Sequence, residues 1–461
     1  MLRNTCLACF LHLQVLGPQQ KDLMAPHLLI PDRLREMGVH PQQVRYFKQR
    51  FQGSFDGYSL DSHYQPIISL THQRVVGYEA LMRPSKNGTP CSPLDLFGQC
   101  HSSVSVTRLD RLSRALHLLN FNLLDSDGCW LFLNIRGEEI RKSNMDAQQV
   151  KRTLALHGFQ PQQIVLEILE DAVHDEMLLA EFVQVFRQAG FLVAIDDFGT
   201  GQSNFDRIWK INPNIVKLDR SMIRNAQQQP RARRIFPRLV SLLRETESLV
   251  LIEGVENEEE ALLAMDTEAD MVQGYFFARP SLTGADRPDL PMQISRLHHQ
   301  YAKQQKSGRQ VFHSQLVTFE SMLTACADLI KLGHSFEDSC QALIKQLGCR
   351  RIFLLNEEGY QVTHTISSEH SVSTNHYHPL KQAQGANWAR RKYFQRAIEA
   401  PGRVYISRPY LALPDASIDV TFSMAFNIGN QTLVLCCDVD SQSVDAAGNL
   451  LQQGQLIMHF E

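Results

Sequence analysis

Six oxygen-bearing side chains punctuate the middle of this chain, each at the end of a short apolar run: Glu79, Asn134, Glu167, Asp196, Asp197 and Glu253. Lys217 and Asp219 close a further run, and Gln273 another. Five carboxylates and an amide oxygen gathered in one apolar-walled mouth repel one another unless cations neutralise them. Hard oxygen donors in that number suit Mg2+ or Mn2+, and the adjacent pair Asp196-Asp197 can bridge two ions about 3.5–4 Å apart. Such a pair of ions clamps the attacking and leaving oxygens of a phosphoryl displacement. Lys217 then adds positive charge at the non-bridging oxygens or orients the water. One acid at a strand end is most often a helix cap or turn former, and Asp197-Phe198-Gly199-Thr200-Gly201 alone reads as a helix-entry loop. Six such groups at successive strand ends are not explained that way.

The elements that must position them follow from apolar periodicity. Strand-like runs occur at Tyr64–Leu70, Val75–Ala80, Trp130–Asn134, Ile164–Ile168, Leu192–Asp196, Ile215–Leu218, Leu249–Glu253 and Met271–Tyr275, with helical patterns such as Leu178–Ala189 and Ala232–Thr246 between the later ones. Eight runs alternating with helices predict an α/β fold, a TIM-like (β/α)8 barrel whose C-terminal strand ends share one mouth. The first two runs are joined only by Thr71-His72-Gln73-Arg74, so one strand is expected to run antiparallel. Pro280, Pro288 and Pro291 mark a boundary. Helical tracts at Ile294–Gln305 and Val311–Leu332 follow, and a smaller α+β region finishes the chain. Its strand candidates are Arg351–Leu355, Gln361–Ile366, Val404–Ser407, Ile418–Phe426 and Thr432–Asp438, with a helix near Trp388–Ala400. The organisation expected is a leader and helical segment over 1–57, the barrel over 58–282, a linker helix over 283–310 and a PAS/Cache-like sensor or dimerisation domain over 311–461.

Bulk properties exclude more than they assign. The 461 residues carry 46 Lys+Arg against 49 Asp+Glu, a formal charge of −3, with 43% hydrophobic residues. That balance leaves no electrostatic footprint for duplex nucleic acid or an anionic membrane, and no run reaches the roughly 20 apolar residues of a membrane helix. The stretch Cys6–Leu13 makes a poor signal peptide, and Met24 offers an alternative start. Cys6 and Cys9 form a lone C-x-x-C without a second pair at zinc spacing. Most other cysteines sit in apolar surroundings as reduced thiols, which fits a cytoplasmic protein.

Seven ordered motifs make the barrel region recognisable: Tyr64-Gln65-Pro66-Ile67, Glu79-Ala80-Leu81-Met82-Arg83, Leu166-Glu167-Ile168-Leu169-Glu170, Asp196-Asp197-Phe198-Gly199-Thr200-Gly201, Lys217-Leu218-Asp219, Glu253-Gly254-Val255-Glu256 and Gln273-Gly274-Tyr275. Together, from about Tyr58 to Pro280, they resemble the EAL-domain family of cyclic di-GMP phosphodiesterases. The resemblance implies a modified TIM barrel with an antiparallel strand and two Mg2+ or Mn2+ ions. Glu79, Asn134, Glu167 and Asp196 would bind the first ion. Asp196 would be shared with a second ion completed by Asp197 and Glu253. Lys217 and Glu253 would activate the water, so that one phosphodiester opens to linear pGpG. Arg83 resembles a phosphate contact, and Gln65, Gln273 and Asp219 match substrate-side positions. Glu170 resembles the anchor of the loop after the fifth strand, and Glu256 a support from the seventh. Leu169 replaces the usual Thr, and Gln202-Ser203-Asn204 departs from the usual loop sequence, yet no ligand position is lost.

The segment around Asn387-Trp388-Ala389-Arg390-Arg391-Lys392-Tyr393-Phe394 resembles a PDC/Cache-type domain. Arg391, Tyr393, Tyr410 and Asp415 would line a small-molecule pocket there, or the aromatics would simply pack the helix on its sheet. The stripe Phe319, Met322, Leu323, Cys326 and Leu329 reads as intramolecular core or as a homodimer interface. No Gly-Gly dipeptide occurs, so the diguanylate-cyclase signature is absent. Two rivals to an active phosphodiesterase are a silent cyclic di-GMP receptor and a scaffold acting through protein partners.

Overall fold

The computed structural model describes residues 30–124, 126, 128–137, 140, 146–169, 175–200, 205–284, 288–368, 383–412 and 417–444. They fall into two compact units divided between His298 and His299. In the first unit the strands are β1 (Val44–Phe47), β2 (Arg50–Phe55), β3 (Tyr58–Ser69), β4 (Arg74–Lys86), β5 (Thr89–Pro90), β6 (Trp130–Ile135), β7 (Ile164–Leu169), β8 (Leu192–Phe198), β9 (Ile215–Leu218), β10 (Leu249–Ile252) and β11 (Met271–Val272). Because β3 pairs with both β4 and β11, eight of these strands close into a ring in the order β3-β11-β10-β9-β8-β7-β6-β4. Strand β3 is antiparallel to both neighbours, as the short hairpin connection implies, and Gln73 turns that connection with φ +54°. The other ring pairings are parallel. Strands β1 and β2 extend the sheet ahead of Tyr58, where the sequence suggested only a leader and a helix. Three of the four β1 side chains are exposed, so no apolar alternation announces that strand.

Side-chain alternation divides the barrel strands into two faces. Ile67, Phe132, Val165, Ala194, Ile215, Leu251 and Met271, one from each of seven strands, form a buried cluster of their own. Leu133, Leu166, Ile195, Leu218 and Ile252 point the other way and join the larger core shared with the helices. The helix Glu176–Gln188 shows how that outer core is made: Leu179, Phe182, Val183 and Phe186 are buried at i, i+3, i+4 and i+7, and Asp175 caps its start. Each fully buried aliphatic side chain contributes about 1.5–3 kcal/mol. On β4 the inward position opposite Ile67 is Gly77, whose hypothetical Cβ would lie 2.8 Å from Phe132 Cε2.

The second unit is built on a six-stranded antiparallel sheet: β12 (Cys349–Asn356), β13 (Ile366–Ser367), β14 (Val404–Ile406), β15 (Tyr410–Ala412), β16 (Ser417–Ile428) and β17 (Gln431–Asp440). The two helical tracts of the sequence are one helix, Leu290–Lys331, with Pro291 in its first turn, where a missing N–H is no loss. Phe319, Leu323 and Cys326 from that helix pack on one face of the sheet, with Phe319 stacked on Phe422 at 5.0 Å. The apolar stripe is thus core within the unit, although Leu329 stays exposed. The helix Lys392–Glu399 covers the other face through Tyr393, Phe394 and Ala397. Strand candidate Gln361–Ile366 is reduced to Ile366–Ser367 and one isolated bridge at Gln361, whose buried side chain serves as a hydrogen-bond hub. The eight described cysteines are all free thiols. Among the described residues no helix is long and apolar enough to cross a membrane.

One buried group gives the first unit a pH signature. His117 is enclosed between Ser113 Oγ at 3.0 Å and Ser62 Oγ at 2.8 Å, and burial, then Arg83 and Arg114, lower its pKa from 6.5 to about 3. The unfolded chain takes up a proton below pH 6.5 that the folded chain refuses, so this contribution to stability is complete above pH 6.5 and lost as pH falls toward 3. The expected slope is about 1.4 kcal/mol per pH unit in that window. Urea unfolding of the native chain and of His117→Gln between pH 7 and 4 checks it; equal slopes in both would refute the assignment.

Candidate active site

The chemical residues stand one alternation step above the sealed layer. Asn134 follows Phe132 by two residues, Glu167 follows Val165, Asp196 follows Ala194, Lys217 follows Ile215, Glu253 follows Leu251 and Gln273 follows Met271. On β4, Glu79 follows Gly77, and on the reversed β3 the order inverts, so Gln65 precedes Ile67 and pairs with Glu79. Period-two geometry therefore turns an apolar plug into the floor of a polar mouth.

Asp197 breaks the alternation. The β8–β9 register shifts between Ile195 and Phe198, and Asp197 has φ +58°, a left-handed conformation that Asp tolerates better than most residues. This bulge brings two consecutive carboxylates to the same mouth: oxygens of Asp196, Asp197 and Glu253 lie within 4.8 Å of one another. Asp197 N donates to Asp196 Oδ1 at 3.0 Å, which fixes their relative orientation.

Lys217 is the cation in this acidic mouth, with 1% of its side chain exposed. Its Nζ contacts Glu167 Oε1, Asp196 Oδ1 at 3.0 Å and Glu253 Oε1 at 2.6 Å. Burial opposes its charge, but the summed field of Asp196, Glu167, Glu253 and Glu79 outweighs burial and holds its pKa well above the ordinary lysine value. One ammonium does not balance the surrounding acids. Burial, with the neighbouring carboxylates Glu79 and Asp196, holds Glu167 well above the usual carboxylate range despite Lys217. Burial likewise pushes Glu253 up, and burial with Asp196 and Asp219 raises Asp197 to about 6. The mouth thus retains excess negative charge and an all-oxygen donor set, which fits hard divalent cations.

The seam around the antiparallel strand is held by amides. Gln273 Nε2 donates to Glu79 Oε2 at 2.7 Å and to Gln65 Oε1 at 3.3 Å, and Gln65 Nε2 donates to the Ala278 carbonyl at 3.1 Å. Gln273 Oε1 is buried without a hydrogen-bond partner among the described residues. Asn134 is exposed at the lip and donates to Glu167 Oε2 at 3.3 Å. Arg83 lies four residues beyond Glu79 on the same face of β4, where Glu79 and Tyr275 face it.

Asp219 stands just past β9 and caps the helix Arg220–Gln228 by accepting from Ser221 N at 2.9 Å. Glu256 is exposed and pairs with Arg220 at 3.4 Å. Glu170 lies outside the described residues, as do Gln202-Ser203-Asn204, Asp415, Cys6 and Cys9. In the second unit Arg391, Tyr393 and Tyr410 do meet: Tyr393 stacks on Tyr410 at 6.2 Å, and the Arg391 guanidinium stands 5.3 Å from the Tyr410 ring. The Tyr410 hydroxyl is tied to Thr421 at 2.8 Å and to Asp438 at 3.0 Å.

Two contributors escaped the sequence reading. Glu260 is buried and accepts from Glu256 N at 2.6 Å, anchoring the turn that follows Glu253; its signal was the capping-box spacing Asn257-x-x-Glu260. Gly254, with φ +65°, lets that turn pass Arg220, whose Cβ would lie 2.1 Å from any Cβ at 254.

Comparison with known proteins agrees with this architecture. Bacillus subtilis (strain 168) YkuI, named as an uncharacterized EAL-domain containing protein, is 23% identical over 346 residues, covering 73% of this chain and 83% of YkuI. The YkuI crystal structure, with an EAL domain and in complex with substrate c-di-GMP and calcium, superposes with a TM-score of 0.69 at 22% identity, over 83% of this chain and 96% of that one. The Escherichia coli (strain K12) probable cyclic di-GMP phosphodiesterase PdeB is 26% identical over 239 residues, which is 50% of this chain and 44% of PdeB. The chain spans less than half the length of PdeB and of several other curated relatives. The model of the EAL domain matches residues 48–280, the barrel with every described strand-end residue above, and the chain belongs to the EAL-domain family.

Proposed function

We propose that the barrel hydrolyses cyclic di-GMP to linear pGpG in the presence of two divalent ions, Mg2+ or Mn2+. The observation that carries this reading is the convergence of Glu79, Glu167, Asp196, Asp197 and Glu253 around Lys217 in one mouth. Family membership and the similarity to PdeB support the choice of substrate. Glu79, Asn134, Glu167 and Asp196 would hold one ion, and Asp196, Asp197 and Glu253 the other. Ions held there supply Lewis-acid charge at the phosphoryl oxygens and make water more acidic.

The chain's own residues do the rest in this reading. Arg83 binds a phosphate at the rim, and Gln65 and Gln273 present amides to the same substrate side. Glu253 receives the proton of the attacking water at a carboxylate oxygen. Lys217 holds Glu253, Asp196 and Glu167 in register and faces positive charge to the phosphoryl group. The water oxygen forms the new P–O bond as the P–O3′ bond breaks, the departing O3′ takes up the proton that Glu253 received, and a 5′-phosphate and a 3′-hydroxyl result. Asp219 acts through its cap, positioning the end of β9, and Glu256 through Arg220. In the same proposal the second unit is the regulatory, sensor-like part, acting in a homodimer of a cytoplasmic protein.

Incubating the purified full chain with cyclic di-GMP and Mg2+ or Mn2+ and separating products by chromatography tests the activity. Glu79→Ala or Asp196→Asn is expected to abolish pGpG formation, and undiminished turnover in either would refute the assignment. Ca2+ is expected to inhibit, because it favours looser and higher coordination than paired carboxylates at close range supply. Cyclic di-GMP binding without product would instead establish the receptor reading. A second measurement needs no turnover. Lys217→Met strands buried Glu167 without its cation, a loss of about 3–5 kcal/mol. The variant's melting temperature without divalent ions is expected to fall by several degrees, with partial recovery in Mn2+; recovery equal in Na+ would count against ion binding at these carboxylates.

A further inference from the structure

A cavity of about 370 Å3 opens on the outside of the barrel, away from the mouth. That volume lies within the usual range of about 300–1,000 Å3 for small-molecule sites. Its floor is apolar: Leu133, Leu166 and Phe191 are each at most 3% exposed, and Leu154 walls it from the helix Ala147–Leu156. Arg35, Arg111 and Arg114 also line it, against the carboxylates of Glu36 and Asp146.

The five charges are not equivalent. Arg35 pairs with Asp32 at 2.6 Å and Arg114 with Asp110 at 3.0 Å. Asp146 caps the helix Ala147–Leu156 through Gln148 N at 2.9 Å. Arg111 and Glu36, both exposed at the rim, have no ion pair or hydrogen bond among the described residues. The Arg111 guanidinium lies over Gly38, where a Cβ would come within 2.9 Å of Nη1, so the glycine clears the space it occupies. Arg111 reaches across Gly38 while Asp146 is engaged as a helix cap. An apolar pocket with this guanidinium at its rim thus matches a molecule that has an apolar body and a single anionic end, with Glu36 as the one rim carboxylate opposing it.

We propose that this cavity binds a small anionic amphiphile, its hydrocarbon body on Leu133, Leu166 and Phe191 and its acid group on Arg111. The site is distinct from the mouth, yet it uses the same two strands. Leu133 and Leu166 face the cavity from β6 and β7, while the next residues, Asn134 and Glu167, face the carboxylate cluster.

Decanoate is the probe, titrated calorimetrically below its micellar concentration into the full chain. Saturable one-site binding is expected. Decyltrimethylammonium, with the same chain and the opposite charge, should bind at least tenfold more weakly. Arg111→Glu should weaken decanoate at least tenfold, whereas Arg108→Glu, an exposed charge on the same helix outside the cavity, should leave it unchanged. Thr153→Trp fills the cavity from its lip and should remove binding while the melting temperature stays near that of the native chain. Absence of saturable decanoate binding overturns the proposal. So does equal affinity for the two decyl probes, or affinity unaltered by both Arg111→Glu and Thr153→Trp.

Discussion

Everything at the mouth of the barrel depends on holding like charges together. Three carboxylates contact the Nζ of Lys217, two more stand close by, and Lys217 and Glu167 are almost entirely shut off from water. A carboxylate desolvated among its own kind gives up its charge unless a cation shares the space. Lys217 shares it from below, fixed on β9 one step above Ile215, and its reach decides which acids converge. The excess that one ammonium leaves uncompensated is what makes the mouth a receptor for further positive charge.

Much of this was legible because the barrel writes its active face at fixed places. Parallel strands that share one direction place their C-terminal ends together, so an acid two residues beyond an inward apolar residue is readable without coordinates. Glu167 after Val165 and Glu253 after Leu251 are of this kind. What stayed hidden depends on partners distant in sequence. The reversed direction of β3 was expected from its hairpin, but the contact from Gln273 requires closure of the ring across nearly two hundred residues. Strand β1 escaped because an exposed edge strand carries no apolar alternation, and β2, though largely buried, because Gln52, Gly53 and Ser54 interrupt its apolar residues. The bulge at Asp197 escaped for another reason: two adjacent acids look like a loop until one of them takes a positive φ.

The second unit shows the opposite balance. Its strands were largely readable, since β16 alternates apolar with polar residues over Ile418–Met424 and β17 carries an apolar run over Leu433–Cys437. The use of its polar residues was not. Arg351 and Asp419 meet at 2.8 Å near Tyr410 and Asp438, a buried network assembled from four strands. Arg391 and Tyr393 lie beside this network, so the aromatic cluster packs the helix on its sheet and adjoins a hydrogen-bond scaffold.

The missing side chain at Gly77 has a consequence for how the barrel can vary. Phe132 fills the volume an eighth inward residue would occupy, so positions 77 and 132 behave as one unit of space divided between two strands. A methyl group gained at one must be surrendered at the other, or Glu79 and Asn134, which ride two residues further along these same strands, will shift together. The separation of those two groups is thus written in the size of an aromatic ring lying below them.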